Sequence, residues 1–293
     1  MSTSMTYRSY GKINIFLDVL NKRRDGYHNI ETVFQTVSLH DELTFNDDPH
    51  HITITCTSPD LDTGEGNLVY KAADLLRKHS GCRLGAQIHL EKHLPIAAGM
   101  AGGSGNAAAA LIALNKLWDL RWSGERLRAL ALEIGSDVPY CTLGGTAAAT
   151  RRGEELEPLA PPPRTWIVLV HPPVAVSAAR TYNHPKLRFN TETPFAGRTA
   201  SFRQAIRYMH QGDWARAVFN RMEEPVFYDM PQLAEVKKRL ITLGCLAAAM
   251  SGSGPTLFGI CKDQAQARAI ADSFSDYRTS VAQTMPLGVE RVR

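Results

Sequence analysis

The sequence predicts an α+β chain folded as two domains, and three observations carry that reading. Apolar residues alternating with polar ones mark strands, apolar residues at helical spacing mark helices, and the two patterns interleave without an internal repeat. The stretch Thr146 to Pro163 reads as a hairpin followed by a proline linker, which sets a boundary between residues 1–160 and 161–293. A length of 293 residues suits one large domain or two modest ones at roughly 150 residues each.

The elements follow in order. The first 60 residues are strand-rich: Ile13, Ile15 and Leu17 alternate with Asn14, Phe16 and Asp18, and the run HHITITC from His50 alternates again. Asn67 to His79 has helical spacing and stops before Gly81, a residue suited to the left-handed turn that closes a helix. Gln87 to Lys92 is a short strand broken by Pro95. A glycine-rich loop leads into an alanine-rich helix, Asn106 to Leu120, and Ser123 caps another helix through Ile134. Past the linker come a buried strand, Trp166 to Val170, and helices near 200–210, 213–222 and 231–243. The chain then reads strand (Cys245–Met250), loop, strand (Thr256–Cys261), helix (Gln264–Phe274) and a last strand within 281–292.

Composition excludes several classes. Hydrophobic residues make up 44% and charged residues 21%, the balance of an ordinary folded protein, and 22 Gly with 16 Pro are too few for a collagen-like chain. A net charge of +4, without a clustered basic face, favours small anions mildly and is not the footprint of a nucleic-acid binder. The five cysteines are scattered and never form CxxC, so neither a disulfide framework nor a zinc knuckle is expected. The N-terminal MSTSMTYRSYGK has no apolar run, and the expected compartment is the cytoplasm. Two windows, Leu94 to Asn115 and Leu240 to Cys261, lack charge for 22 positions each, long enough to span a bilayer. Glycine and serine interrupt both, so each is read as an apolar element, a loop and another apolar element. His89 and His93 flank Glu91 as HxExH on a strand, which is not the helical HExxH pattern, and no protein metal site is expected. LAEVKKRL from Leu233 reads as the wet face of an amphipathic helix.

Four short elements carry the chemistry. In PIAAGMAGGSGNAAAALIAL, from Pro95, a glycine-dense loop runs straight into a helix and offers backbone N–H groups at the positive end of the helix dipole, a geometry that binds phosphate. It lacks the Lys-Ser/Thr of a Walker A loop and the setting of a dinucleotide fingerprint. GGSG alone reads equally as a flexible turn. The second loop, MSGSGPTLFGI from Met250, would by itself be a hairpin connection, but two such loops in separate halves favour one polyanionic ligand held between them. Asp137, in IGSDVPY, is by position either a cap or turn former or a group that takes or orients the proton of an attacking hydroxyl. Lys12, in YGKINIFL, begins a strand, where a lysine is usually solvated.

Taken together, a Lys in the first strand, P-x-A-x-G-x-x-G-G-S, S-D-V-P and S-G-S-G-P-T resemble the GHMP kinases, in order and across most of the chain. The resemblance implies the two-domain GHMP kinase fold, with an N-terminal domain like domain 2 of ribosomal protein S5 and a C-terminal ferredoxin-like α/β sandwich. RRDGYHNIETVFQTVSLHDELTF from Arg23, NLVYKAA from Asn67 and PVAVSAARTY from Pro173 are similar to the branch that phosphorylates the 2-hydroxyl of diphosphocytidyl-methylerythritol in the non-mevalonate route to isoprenoid precursors. That implies Lys12 and Asp137 as the catalytic pair and ATP, with Mg²⁺ as its complex, as phosphoryl donor. Pro95, Ala97, Gly99, Met100, Ala101, Gly102, Gly103, Ser104 and Gly105 would then hold ATP, with Asn67, Leu68 and Lys92 on the nucleotide side. Asn14 would position the acceptor, Tyr27 and Tyr182 would sandwich its cytosine, His28 would read the base edge, Phe34 would wall the pocket and Ser177 would meet a phosphate. The implied partners are these two small molecules, with no nucleic acid or membrane, and the chain is expected as a monomer or weak homodimer.

Two positions depart from the family pattern. Gly105 stands where relatives carry a second Ser, removing a hydroxyl that would reach Mg²⁺ or phosphate. Ala101 replaces the usual Gly, a change that a backbone with negative φ accommodates. Three rivals differ in class or acceptor. A homoserine or mevalonate kinase has no use for the GYH segment or Tyr182, because those acceptors carry no base to stack on. A regulator that has lost catalysis would not need Lys12 and Asp137. An RNA-binding domain would need a basic face.

Overall fold

The computed structural model describes residues 4–292, so the first three residues of the N-terminal stretch read above lie outside it. The chain opens with a long hairpin of β1 (Ser4–Lys22) and β2 (His28–Asp48), followed by β3 (Ile52–Cys56), α1 (Leu68–Ser80), β4 (Gly85–Glu91), α2 (Gly102–Leu117), α3 (Gly124–Ile134), α4 (Val138–Leu143), β5 (Thr146–Arg151) and β6 (Glu155–Pro158). Then come β7 (Trp166–His171), α5 (Ala178–Tyr182), α6 (Ala200–His210), α7 (Trp214–Ala217), β8 (Phe219–Asn220), α8 (Glu223–Asp229) and α9 (Pro231–Thr242). The last elements are β9 (Ala247–Met250), β10 (Leu257–Cys261), α10 (Gln264–Ser273), β11 (Arg278–Gln283) and β12 (Val289–Arg291).

Among the described residues, one sheet runs β12-β1-β2-β4-β3, with β5 and β6 continuing from β2 and β8 lying parallel to β1; a second runs β11-β7-β10-β9. Helices α9 and α10 pack on the second sheet. The first sheet is not closed within the first half of the chain, because β8 and β12 return to it from beyond the linker. Helix α2 is its central support. Ala107 to Ala110 are buried on every side, and their small side chains let α2 lie close against β1, α1 and α4.

Local signals explain most boundaries. Asn67 Oδ1 accepts the Val69 N–H to cap α1, and Gly81 closes it at φ +70°. Ser123, Thr199 and Asp263 cap α3, α6 and α10 in the same way, each cap worth about 1 kcal/mol. Other expectations need correction. Helix α2 starts at Gly102 rather than Asn106, so Gly102, Gly103, Ser104 and Gly105 form its first turn. The segment 213–222 is one helical turn followed by the short strand β8, because Phe219 and Asn220 pair with Phe16 and Leu17 instead of continuing the helix. The last stretch divides into β11 and β12, which belong to different sheets and are separated by Pro286 and Gly288. The two uncharged windows resolve into loop plus α2 and into α9, β9, loop and β10. No helix among the described residues is long and apolar enough to cross a membrane.

Candidate active site

The site begins with a fault in β1. Register with β2 shifts between Tyr10 and Lys12, where Gly11 packs so tightly that a β-carbon would sit 2.7 Å from Leu94. A bulge of this kind re-aims the following side chain. The Lys12 N–H donates to Met100 O at 3.0 Å, fastening the phosphate-type loop to the strand. Far from being solvated, Lys12 is 5% exposed. Its ammonium donates to Asn14 Oδ1 at 2.8 Å and lies 5.3 Å from the centre of the Phe34 ring. Asn14 Nδ2 in turn donates to Thr32 Oγ1, and that hydroxyl donates to Phe16 O. The chain of bonds leaves Lys12 little freedom.

Asp137 stands before α4 but does not cap it; its side chain makes no bond to the helix N–H groups. Its Oδ2 lies 3.7 Å from Lys12 Nζ, and about a third of its side chain is exposed. Its carboxylate is therefore not spent on capping α4 and borders a cavity.

Two cavities meet beside this pair. One, of about 550 Å³, is bordered by Lys12, Asn14, Tyr27, His28, Phe34, Asp137 and Tyr182. The other, of about 520 Å³, is bordered by Asn67, Leu68, Lys92, Pro95, Ala97, Gly99, Ala101, Gly102, Gly103 and Ser104. They share Gly99, Ala101, Ala178 and Ser253.

In the second cavity the loop 95–101 is shaped by left-handed backbone at Ala97, Gly99 and Ala101, with φ of +52°, +75° and +56°. Ala101 therefore does not sit at negative φ as expected and carries the strain of a β-carbon in that region. It is the N-cap of α2 and offers no side-chain acceptor, so the first-turn N–H groups of the helix face the cavity uncapped by a side chain. Leu61, Leu68, Ile96 and Val176 give this cavity apolar wall, beside the polar Asp62, Asn106 and Ser253.

Four proposed contacts look different in three dimensions. Gly105 is buried against β1, where a β-carbon would meet Ser9 Oγ at 2.7 Å; a hydroxyl at this position would point away from the cavity. Met100 is 1% exposed and packs in the core, contributing its carbonyl to Lys12 instead of a side chain to a ligand. Lys92 borders the cavity, but its ammonium is held by Asp41 Oδ2 at 2.6 Å and Leu94 O at 2.8 Å. Asp41 also accepts the N–H groups of His93 and Leu94, so the pair anchors the entry to the loop. Ser177 borders neither cavity; its hydroxyl caps α5 by accepting the Arg180 N–H, while Ala178 and Ala179 face the site.

At the first cavity's far end, His28 stacks on Tyr182 with ring centres 5.1 Å apart and planes 22° from parallel. Burial, reinforced by the charge of Lys22, lowers the His28 imidazole from its ordinary value, which favours the neutral ring with one donor and one acceptor. Tyr27 is more than half exposed and has the Arg152 guanidinium 5.0 Å from its ring centre. Phe34 packs on Tyr140 with centres 4.6 Å apart, which fixes the wall beneath Lys12. The sequence reading missed Arg152 and Asn183 on the cavity wall and Asn220 behind the second glycine loop, while Ser253 of that loop lines both cavities. Only the turn residues around them hinted at the first two.

Comparison with known proteins was made against this geometry. GHMP kinases N terminal domain matches residues 67–145, and GHMP kinases C terminal matches residues 194–278. The chain is 45% identical over 271 residues to the 4-diphosphocytidyl-2-C-methyl-D-erythritol kinase of Pelotomaculum thermopropionicum, covering 91% of this chain and 92% of that one. It is 40% identical to the protein of the same name from Enterococcus faecalis, covering 92% and 94%. Its fold matches a crystal structure of 4-(cytidine 5'-diphospho)-2C-methyl-D-erythritol kinase with TM-score 0.80 and 32% identity, covering 97% of this chain and 99% of that one.

Proposed function

The chain belongs to the GHMP kinases and, within them, to the 4-diphosphocytidyl-2-C-methyl-D-erythritol kinases, and on that premise we propose how its cleft transfers the γ-phosphoryl group of ATP to the 2-hydroxyl of that cytidylyl alcohol. The products are ADP and the 2-phosphate, on the non-mevalonate route to isoprenoid precursors. One observation carries the assignment of roles: Lys12 and Asp137 face each other 3.7 Å apart in the cavity that shares Gly99 with the uncapped N-terminus of α2.

In this reading ATP lies in the second cavity. Its base rests on the apolar wall, and its phosphates meet the loop 95–101 and the first turn of α2. Mg²⁺ arrives as the ATP complex and draws charge from the phosphates. The acceptor lies in the first cavity, its cytosine among Tyr27, His28 and Tyr182, where aromatic stacking adds ~0.5–1.5 kcal/mol per pair beyond area burial. Asp137 accepts or orients the proton of the 2-hydroxyl. Lys12 holds that carboxylate in place and offsets the charge that develops on the transferring oxygens. Positioning and charge stabilisation supply most of the acceleration, because a loose phosphoryl-transfer transition state asks little covalent chemistry of the protein.

The test is ADP release from ATP·Mg²⁺ with diphosphocytidyl-methylerythritol, homoserine or mevalonate as acceptor. Turnover with the first alone is expected, and Asp137→Asn should lower kcat on the order of 10²–10⁴-fold. Turnover only with another acceptor would overturn the substrate assignment. A fully active Asp137→Asn would remove the carboxylate from the mechanism.

A further inference from the structure

Behind the second glycine loop lies a polar group that borders neither cavity. Asn220, on β8, is 3% exposed, and every hydrogen-bonding group of its side chain except the second oxygen lone pair is engaged. Nδ2 donates to Met250 O at 2.6 Å and to Gly252 O at 2.8 Å, while Oδ1 accepts the Met222 N–H at 2.9 Å. Glu223 adds a bond from the same side, accepting the Met250 N–H at 2.8 Å, and its other oxygen is held by Lys237 at 2.5 Å.

The loop's opposite face touches the reacting groups. Ser251 Oγ donates to Gly99 O at 2.9 Å. A β-carbon on Gly252 would lie 3.1 Å from Gly99 O and 3.3 Å from Lys12 Nζ. Moreover, β8 reaches this place because it pairs with Phe16 and Leu17 of β1, the strand that carries Lys12 and Asn14. One strand thus sets both the ammonium and the brace of the loop that lies over it.

We infer that Asn220, with Glu223 beside it, is a positioning residue for phosphoryl transfer: the pair holds the loop 251–254 at a fixed distance from the Lys12 ammonium and from Gly99. The inference rests on the kinase reading above. Neither residue touches substrate. Asn220 acts through three backbone bonds and Glu223 through one, whose loss lets the loop drift, and a drift of about 1 Å at a phosphoryl-transfer site costs on the order of 10²-fold in rate.

The decisive variant is Asn220→Asp, which keeps the shape and the acceptor for Met222 but sets a carboxylate oxygen against two carbonyls. Expected are a fall in kcat on the order of 10–100-fold, a raised KM for ATP and an unchanged Kd for cytidine diphosphate, titrated calorimetrically as a probe of the far end of the acceptor cavity. If this variant does not fold, Asn220→Ser, neutral and with a single donor, should show a smaller loss of the same kind. The inference is overturned by a folded variant with kcat and ATP KM like the parent's. It is equally overturned if cytidine diphosphate affinity and kcat fall together, which would mean a general structural role. The parent chain is assayed alongside, so a wrong acceptor appears in the parent and a wrong brace only in the variants.

Discussion

The loops 95–101 and 251–255 both turn through left-handed backbone, at Ala97, Gly99 and Ala101 in one and at Gly252 and Gly254 in the other, and they touch at Gly99 and Ser251. Their backbones do different work. The first ends at a helix whose opening N–H groups no side chain caps, so its polar surface is turned outward to a cavity. The second joins two fully buried strands, and part of its backbone is occupied from within: Ser251 N–H by Thr256 O, Gly254 N–H by Ser251 O, and the carbonyls of Met250 and Gly252 by Asn220, while Ser253 borders both cavities. A glycine loop binds anions when its N–H groups are left open. Bonds from within the protein, as at Ser251, Gly254 and the carbonyls held by Asn220, instead fix where such a loop lies.

That contrast can be broken most severely where the loops meet. Gly99 sits at φ +75°, and a β-carbon there would lie 2.1 Å from Ser251 O. Gly99→Ala should cost roughly 2–5 kcal/mol, the sum of left-handed strain and overpacking, and should abolish most ADP release from whatever folds. Thermal unfolding and the acceptor assay check both parts. A variant with the parent's Tm would show that the loops do not bear on each other.

A smaller and pH-dependent effect belongs to the second loop alone. His171, on β7, bonds through its two ring nitrogens to Thr256 Oγ1 and Ser280 Oγ, and Thr256 closes the loop. Burial, with Arg278 nearby, pushes its pKa down to about 4. The unfolded chain takes up this proton near pH 6.5 and the folded chain only near 4. Stability is therefore complete above 6.5 and declines as the pH falls towards 4, by about 3 kcal/mol in all. Urea unfolding of the parent and of His171→Gln at pH 7 and pH 4 measures this directly. An equal acid loss in both would assign the effect to other groups.

The mildest change sharpens the picture of the first loop. Ala101→Gly removes a strain of about 1–2 kcal/mol at φ +56° and adds back about 0.4–1 kcal/mol of unfolded-state entropy, for a net gain in stability of under about 2 kcal/mol. A fall in Tm would mean that the alanine methyl makes contacts worth more than its strain.

How much was legible in sequence follows the same division. The loop–helix junction could be read because local chemistry marks it, glycines before an alanine helix, whereas Lys12 and Asp137 were singled out by the family resemblance, since locally a lysine at a strand start reads as solvated and an acid before a turn as a cap. Gly105 and Ser177 were misread because residue type says nothing of direction. One faces β1 and the other caps α5. Lys92 offered a positive charge, but its partner Asp41 lies 51 residues earlier and only the β2–β4 pairing brings them together. Asn220 gave no signal, since its importance comes from a two-residue parallel pairing with β1 and from bonds to carbonyls about 30 residues away in sequence. Long-range pairing is what periodicity cannot show.

The return of β12 to the outer edge of β1 has a consequence during biosynthesis. Tyr7 pairs with Arg291, Tyr10 Oη donates to Glu290, and the Tyr10 N–H donates to Gly288 O. A ribosome working at about 5–20 residues per second emits β1 some tens of seconds before it emits these partners. Throughout that interval the nascent first sheet has an open edge that another strand could occupy. The strand carrying Lys12 is thus closed by a segment translated long after it.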